Sequence, residues 1–153
     1  YSSNVKSPNN KQALSLFYEG LSNTVQELSY LGVDTLLMGD IPHLDKTRIE
    51  CGNKHNLLRK HQLNCSPLSR EYVDDLHSST ENILEKVASE HSSVYSHNII
   101  NEHCTEEGCA IHVNGSFMYK DTNHIRRNFS KSNQQALVDQ FGLSKAIEWS
   151  NYK

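Results

Sequence analysis

The chain has 153 residues, of which 36% are hydrophobic, enough for one domain with an ordinary core, thin layers and long loops. Its net charge is −3 with histidines neutral and its basic residues are scattered, which excludes a phosphate backbone or an anionic membrane surface as the obvious partner. No apolar run approaches the ~20 residues that span a bilayer, and no signal peptide opens the chain.

The chain begins at Tyr1 with no Met, which points to a mature product or a fragment. Residues 1–10 are polar, and Ser7-Pro8-Asn9-Asn10 reads as a linker or a helix start. From Lys11, the apolar positions Leu14, Phe17, Tyr18, Leu21, Val25, Leu28 and Leu31 recur at steps of three and four, which predicts a long amphipathic helix ended by Gly32. Val33 to Gly39 reads as a buried strand of a parallel sheet. Asp40-Ile41-Pro42-His43-Leu44 leaves its carboxyl end, the edge where open α/β sheets build their sites. A long loop then runs to about Pro67, with Lys54, His55, Arg59, Lys60 and His61 as a small basic group that reads as a solvated face.

Ser69 to Ser92 is predicted as a second helix, capped through Ser69 and Glu71, with Tyr72, Leu76, Ile83, Leu84 and Val87 on its apolar face. Ser93 to Ile100 reads as a second strand. Ala110–Val113 and Ser116–Tyr119 flank Asn114-Gly115, a strong hairpin signal. Ser130, with Gln134 near it, opens a last helix that Gly142 kinks or divides and that carries Leu137, Phe141, Ile147 and Trp149 among its apolar positions. The order helix, strand, loop, helix, strand, hairpin, helix implies an α/β fold, a three-layer α/β/α sandwich. With two strands that look parallel and buried, the sandwich is expected to be incomplete at its N-terminus.

The four cysteines fall into two groups, Cys51 with Cys65 and Cys104 with Cys109. Two local disulfides in an oxidising compartment are the simplest reading. A metal site of His103, Cys104, Cys109 and His112 is a rival, although its spacing matches no common zinc pattern, and unpaired thiols are another.

The most chemical stretch is Phe117 to Ile125, an apolar strand running into a turn with Asp121 and His124 three residues apart. Serine-type acyl chemistry needs a nucleophile, a base touching it, an acid orienting the base, and donors for the oxyanion. Asp121 and His124 supply the acid and base. No serine stands at a strand-to-helix elbow: Gly39-Asp40 is followed by Ile41, and no Gly-x-Ser-x-Gly occurs.

Leu36-Leu37-Met38-Gly39-Asp40-Ile41-Pro42, the spaced cysteines, and Tyr119-x-Asp121-x-x-His124 together resemble the C-terminal portion of an SGNH (GDSL-like) domain. The resemblance is to the version fused to membrane O-acyltransferases of the acyltransferase-3 family, which acylate cell-surface glycans such as lipopolysaccharide O-antigen. It covers roughly Lys11 to Ile147 and treats the chain as the C-terminal portion of one such domain. It implies that Asp121 and His124 are the catalytic acid and base, and that an acyl donor arrives from a membrane domain. It also implies a glycan acceptor, a periplasmic location and no cofactor. The family's Ser, Gly and Asn blocks are not matched, so the nucleophile is expected upstream and the chain alone is expected to be inactive. Ile125-Arg126 stands where the family has Leu-Ser, and Arg127-Asn128-Phe129-Ser130 where Gly-Ala opens the last helix, which leaves room for altered substrate handling. A non-catalytic, disulfide-tied module that binds a glycan or protein is the alternative.

Overall fold

The structure, a computed structural model, describes residues 10–52 and 65–148. The expected linker at residues 1–9, the basic group Lys54, His55, Arg59, Lys60 and His61, and Trp149 lie outside the described residues. The chain divides into two compact units, Tyr1–Met38 with Ser79–His97, and Gly39–Ser78 with Asn98–Lys153.

In the first unit, α1 (Asn10–Tyr30) is the predicted long helix. Its C-terminus closes as the glycine implied: Gly32 takes φ 73°, Gly32 N–H donates to Ser29 O at 3.0 Å, and Val33 N–H donates to Leu28 O at 3.0 Å. This pattern satisfies carbonyls that a helix end otherwise leaves open. The buried stripe is narrower than predicted: Val25 is fully buried, but Phe17 and Leu31 are exposed. The run after Gly32 forms β1 (Thr35–Met38), which pairs in parallel with β2 (Val94–His97), Thr35 opposite Val94 and Met38 opposite His97. Val25, Leu37, Leu84, Val87 and Val94 close one small core.

The second predicted helix is α2 (Arg70–Glu90), with Ser69 Oγ accepting from Tyr72 N–H at 3.3 Å as an N-cap. Residues 70–78 belong to the second unit and residues 79–90 to the first. Its buried stripe differs from the predicted one. Leu76 is exposed, while Val73, His77, Glu81, Leu84 and Val87 are buried at steps of three and four, so two of the buried positions are polar. Hydropathy alone places such residues outside, which is why they were missed.

The predicted strand over Ser93 to Ile100 stops short. Asn98 accepts from Asn101 N–H at 3.0 Å and starts α3 (Ile99–His103), turning the apolar Ile99-Ile100 pair into the first turn of a helix. Next, β3 (Cys104–Thr105) and β4 (Gly108–Cys109) pair antiparallel. Cys109 also exchanges both main-chain hydrogen bonds with Leu68, at 2.9 and 2.8 Å. Gly108 makes this possible, because its φ is 119° and a Cβ would overlap the Leu68 carbonyl. The predicted hairpin is β5 (His112–Val113) with β6 (Ser116–Phe117), turned by Asn114 at φ 46° and Gly115 at φ 72°. Ser130 caps α4 (Lys131–Gln140), Gly142 at φ 64° breaks the helix, and α5 (Leu143–Glu148) follows. The core of this unit is larger and includes Leu68, Ile100, Ile111, Met118, Tyr119 and Phe141.

The fold is thus α/β in character, but its described sheets are small: one parallel pair and two short hairpins. They do not by themselves make the three layers expected from sequence. No helix among the described residues is long and apolar enough to cross a membrane.

Both disulfides are present. Cys51 and Cys65 are joined with Cα atoms 5.8 Å apart, and Cys104 and Cys109 with Cα atoms 4.2 Å apart across the β3–β4 pair. The metal and free-thiol alternatives fall with them, since a disulfide sulfur is not a thiolate. His103 is buried, and its Nε2 donates to Ala110 O at 2.8 Å.

Candidate active site

The Asp121–His124 turn lies wholly in the second unit, and main-chain pairing sets its shape. Tyr119 and Ile125 bridge antiparallel, Lys120 N–H donates to His124 O at 2.8 Å, and Arg126 N–H donates to Met118 O at 2.9 Å. Asp121, Thr122 and Asn123 form the tip. The Asp121 carboxylate organises this tip, accepting from the main-chain N–H of Asn123 at 3.1 Å and of His124 at 2.9 Å. An aspartate that bonds its own following backbone in this way makes a rigid turn out of a polar sequence.

The same carboxylate holds the imidazole. His124 Nδ1 lies 2.9 Å from Oδ1 and 3.0 Å from Oδ2 of Asp121. The Asn123 N–H, and then the His124 side chain and N–H, keep the Asp121 carboxyl below its ordinary value, so it is a carboxylate at neutral pH. An Nδ1–H donating to a carboxylate leaves Nε2 as the basic nitrogen at the tip of the ring. The His124 side chain is 68% exposed, so Nε2 is open to a reacting group. The three-residue spacing read from sequence therefore does bring acid and base into contact. Among the described residues, no hydroxyl or thiol is hydrogen-bonded to His124.

Beneath the turn, Leu44 N–H donates to Thr122 O at 2.8 Å, and the buried Tyr119 hydroxyl donates to Pro42 O at 2.7 Å. Burial, and then the charge of Asp40, hold the Tyr119 phenol protonated well above its ordinary range. These two bonds tie the Asp121–His124 turn to the segment that leaves the end of β1.

That segment carries a second pair at the same spacing, which the sequence reading passed over. Asp40 Oδ2 lies 2.8 Å from His43 Nε2, and Asp40 Oδ1 accepts from Ile41 N–H at 2.8 Å. The main-chain N–H of His43 donates to Nε2 of the buried His77 at 3.3 Å, and the two rings meet edge to face at 4.5 Å. Burial, followed by the neighbouring His43, lowers the His77 pKa, so His77 is neutral and accepts that bond. The repeated Asp-x-x-His was visible in the sequence and was the signal that would have found this pair.

Residues 1–139 match the family described as the SGNH domain fused to AT3 domains. The chain belongs to the SGNH family of AT3-fused domains. That assignment makes it an acyltransferase-associated module with an α/β hydrolase-like fold, paired with a membrane acyltransferase domain. No curated protein and no solved structure matches the chain. Within this SGNH domain, Asp121 and His124 are the described Asp–His pair that leaves a ring-tip nitrogen open.

Proposed function

We propose that this SGNH domain provides the acid and base of a Ser-His-Asp acyl-transfer site, with Asp121 and His124 in those roles and the serine supplied upstream of this chain. The observation that carries the reading is the Nδ1 contact of His124 with Asp121 at 2.9 Å, which leaves Nε2 exposed. In the reaction His124 Nε2 takes the serine proton as the hydroxyl attacks the acyl donor, and returns a proton to the leaving group. It then takes the proton of a sugar hydroxyl as that oxygen attacks the acyl-serine, and the serine leaves with the proton. Asp121 holds the tautomer and stabilises the imidazolium at each stage. The membrane domain delivers the acyl group, and the acceptor is a cell-surface glycan of the lipopolysaccharide O-antigen kind. No cofactor takes part.

The site is placed on the periplasmic face of a bacterial inner membrane, a reading supported by two disulfides, which form in oxidising compartments. The upstream part of the domain would complete a three-layer sandwich and add the oxyanion donors. The chain alone is therefore expected to show little turnover of small acetyl esters. His124→Ala in the longer protein should abolish glycan O-acylation while leaving the circular dichroism spectrum unchanged. Acylation at the wild-type rate would return the domain to the reading of a non-catalytic binding module. Intact mass after alkylation without reductant should show no labelled cysteine, and four labelled cysteines would remove the periplasmic placement.

A further inference from the structure

A second feature of the same unit, outside the Asp–His turn, is an open groove of about 590 Å³ lined by Gly52, Phe117, Arg126, Asn128, Phe129 and Asn133, with other residues completing its wall. A volume of this size falls in the range of small-molecule sites. Arg126 is its only charged wall residue among those described. Its Nε donates to Tyr119 O at 2.7 Å and its Nη2 to Gly52 O at 3.2 Å, and its guanidinium carbon sits 5.4 Å from the centre of the Phe117 ring. Gly52 permits this approach, because a Cβ there would overlap Arg126 Nη2 and the Phe117 ring.

A guanidinium has five N–H donors, so with one used on Nε and one on Nη2, three remain. All 18 Asp and Glu of the chain lie among the described residues, and none of them pairs with Arg126. A half-buried cation, held in place by two carbonyls and a ring and left without a carboxylate, is preorganised for an anion that enters the groove. The remaining walls fit a ring bearing hydroxyls. Phe117 and Phe129 offer apolar surface, Asn128 is exposed, and Asn133 stands at the rim, joined by Nδ2 to Ser116 Oγ at 3.1 Å. Arg126 is two residues from His124 on the same extended segment, the spacing at which side chains leave a strand on one side.

We propose that this groove binds an acidic sugar of the acceptor glycan, with Arg126 receiving the sugar's carboxylate. The proposal rests on the acyl-transfer reading for the word acceptor, whereas the binding itself does not depend on catalysis.

The test is an NMR titration of the intact chain with methyl glucuronide, methyl glucoside and inorganic phosphate. Methyl glucuronide should shift the amides of Phe117, Arg126 and Asn133 and bind about tenfold tighter than the glucoside, the factor expected of a charge-assisted hydrogen bond. Arg126→Gln should remove that preference without changing the amide dispersion. If Arg126→Gln unfolds the chain, Arg126→Lys decides: it keeps the charge but not the fork, and should bind the glucuronide more weakly while still preferring it. Equal binding of the two sugars, a preference that survives loss of the Arg126 charge, or phosphate competing as tightly as the glucuronide would overturn the proposal. His124→Ala should leave glucuronide binding intact, so a failure of the acyl-transfer reading and a failure of the subsite are seen in different experiments.

Discussion

The second unit holds three Asp-x-x-His spacings, Asp40–His43, Asp74–His77 and Asp121–His124, and the two in which acid and imidazole are hydrogen-bonded are chemically unlike. In the Asp121–His124 pair the carboxylate takes Nδ1, next to the main chain, and leaves Nε2 at the exposed tip. In the Asp40–His43 pair the carboxylate takes Nε2, and the nitrogen left over lies beside the backbone. The first ring is 68% exposed and the second 34%, with its main chain tied to the buried His77. The same motif therefore yields an available base in one place and a structural clasp in the other. Spacing alone cannot separate them, because the choice of ring nitrogen depends on how the turn directs the carboxylate.

The sharpest way to break this comparison is to remove each imidazole in turn. His124→Ala should cost about 10²–10⁴-fold in glycan O-acylation, the usual contribution of a positioned general base. His43→Ala should leave the rate within the same order of magnitude. An equal loss from both would make the two pairs a single machine and would sink the distinction drawn from the ring nitrogens.

The support under the Asp121–His124 turn should show in stability first. Tyr119→Phe leaves the buried Pro42 carbonyl without its 2.7 Å partner, which should cost about 1–3 kcal/mol in a urea melt. A melt identical to wild type would mean that the carbonyl finds another donor and that the phenol is not what ties the turn to residues 42–44.

The clasp makes a smaller, pH-dependent contribution. His77 and His103 both have pKa values lowered from 6.5, chiefly by burial. Below about that pH the unfolded chain takes up protons that the folded chain does not, so stability is present above it and is lost on acidification. The urea midpoint should fall between about pH 7.5 and about pH 5.5. A variant carrying His77→Gln and His103→Gln should show a flatter dependence, and an unchanged slope would assign the effect to other groups.

Much of this architecture was legible because local chemistry decided it. Gly32, Asn114-Gly115, Ser69, Ser130 and Gly142 each act at the position where the sequence placed a cap, a turn or a break. These devices need only their neighbours in the chain, so reading along the chain finds them. Misreadings came where a local cap was overlooked or where the decision was not local. Ile99-Ile100 looked like strand, but the Asn98 cap converted it to helix, and both residues still reached the core. His77 and Glu81 took buried positions on α2 while Leu76 is exposed, and the His43 main-chain N–H compensates for the polarity of His77.

Sequence by itself determined the two long helices, the first strand, the Asn114-Gly115 hairpin, the two cysteine pairs and the contact of Asp121 with His124. All of these close within a few residues of chain or within one short loop, where the cost of ordering is small. Only the tertiary structure decided which nitrogen of each histidine stays open, that Tyr119 reaches across to Pro42, and that Arg126 stands in a groove without a carboxylate. The last two outcomes depend on groups brought together from distant parts of the chain, as the separation of 77 positions from Pro42 to Tyr119 illustrates, and no local pattern records such encounters.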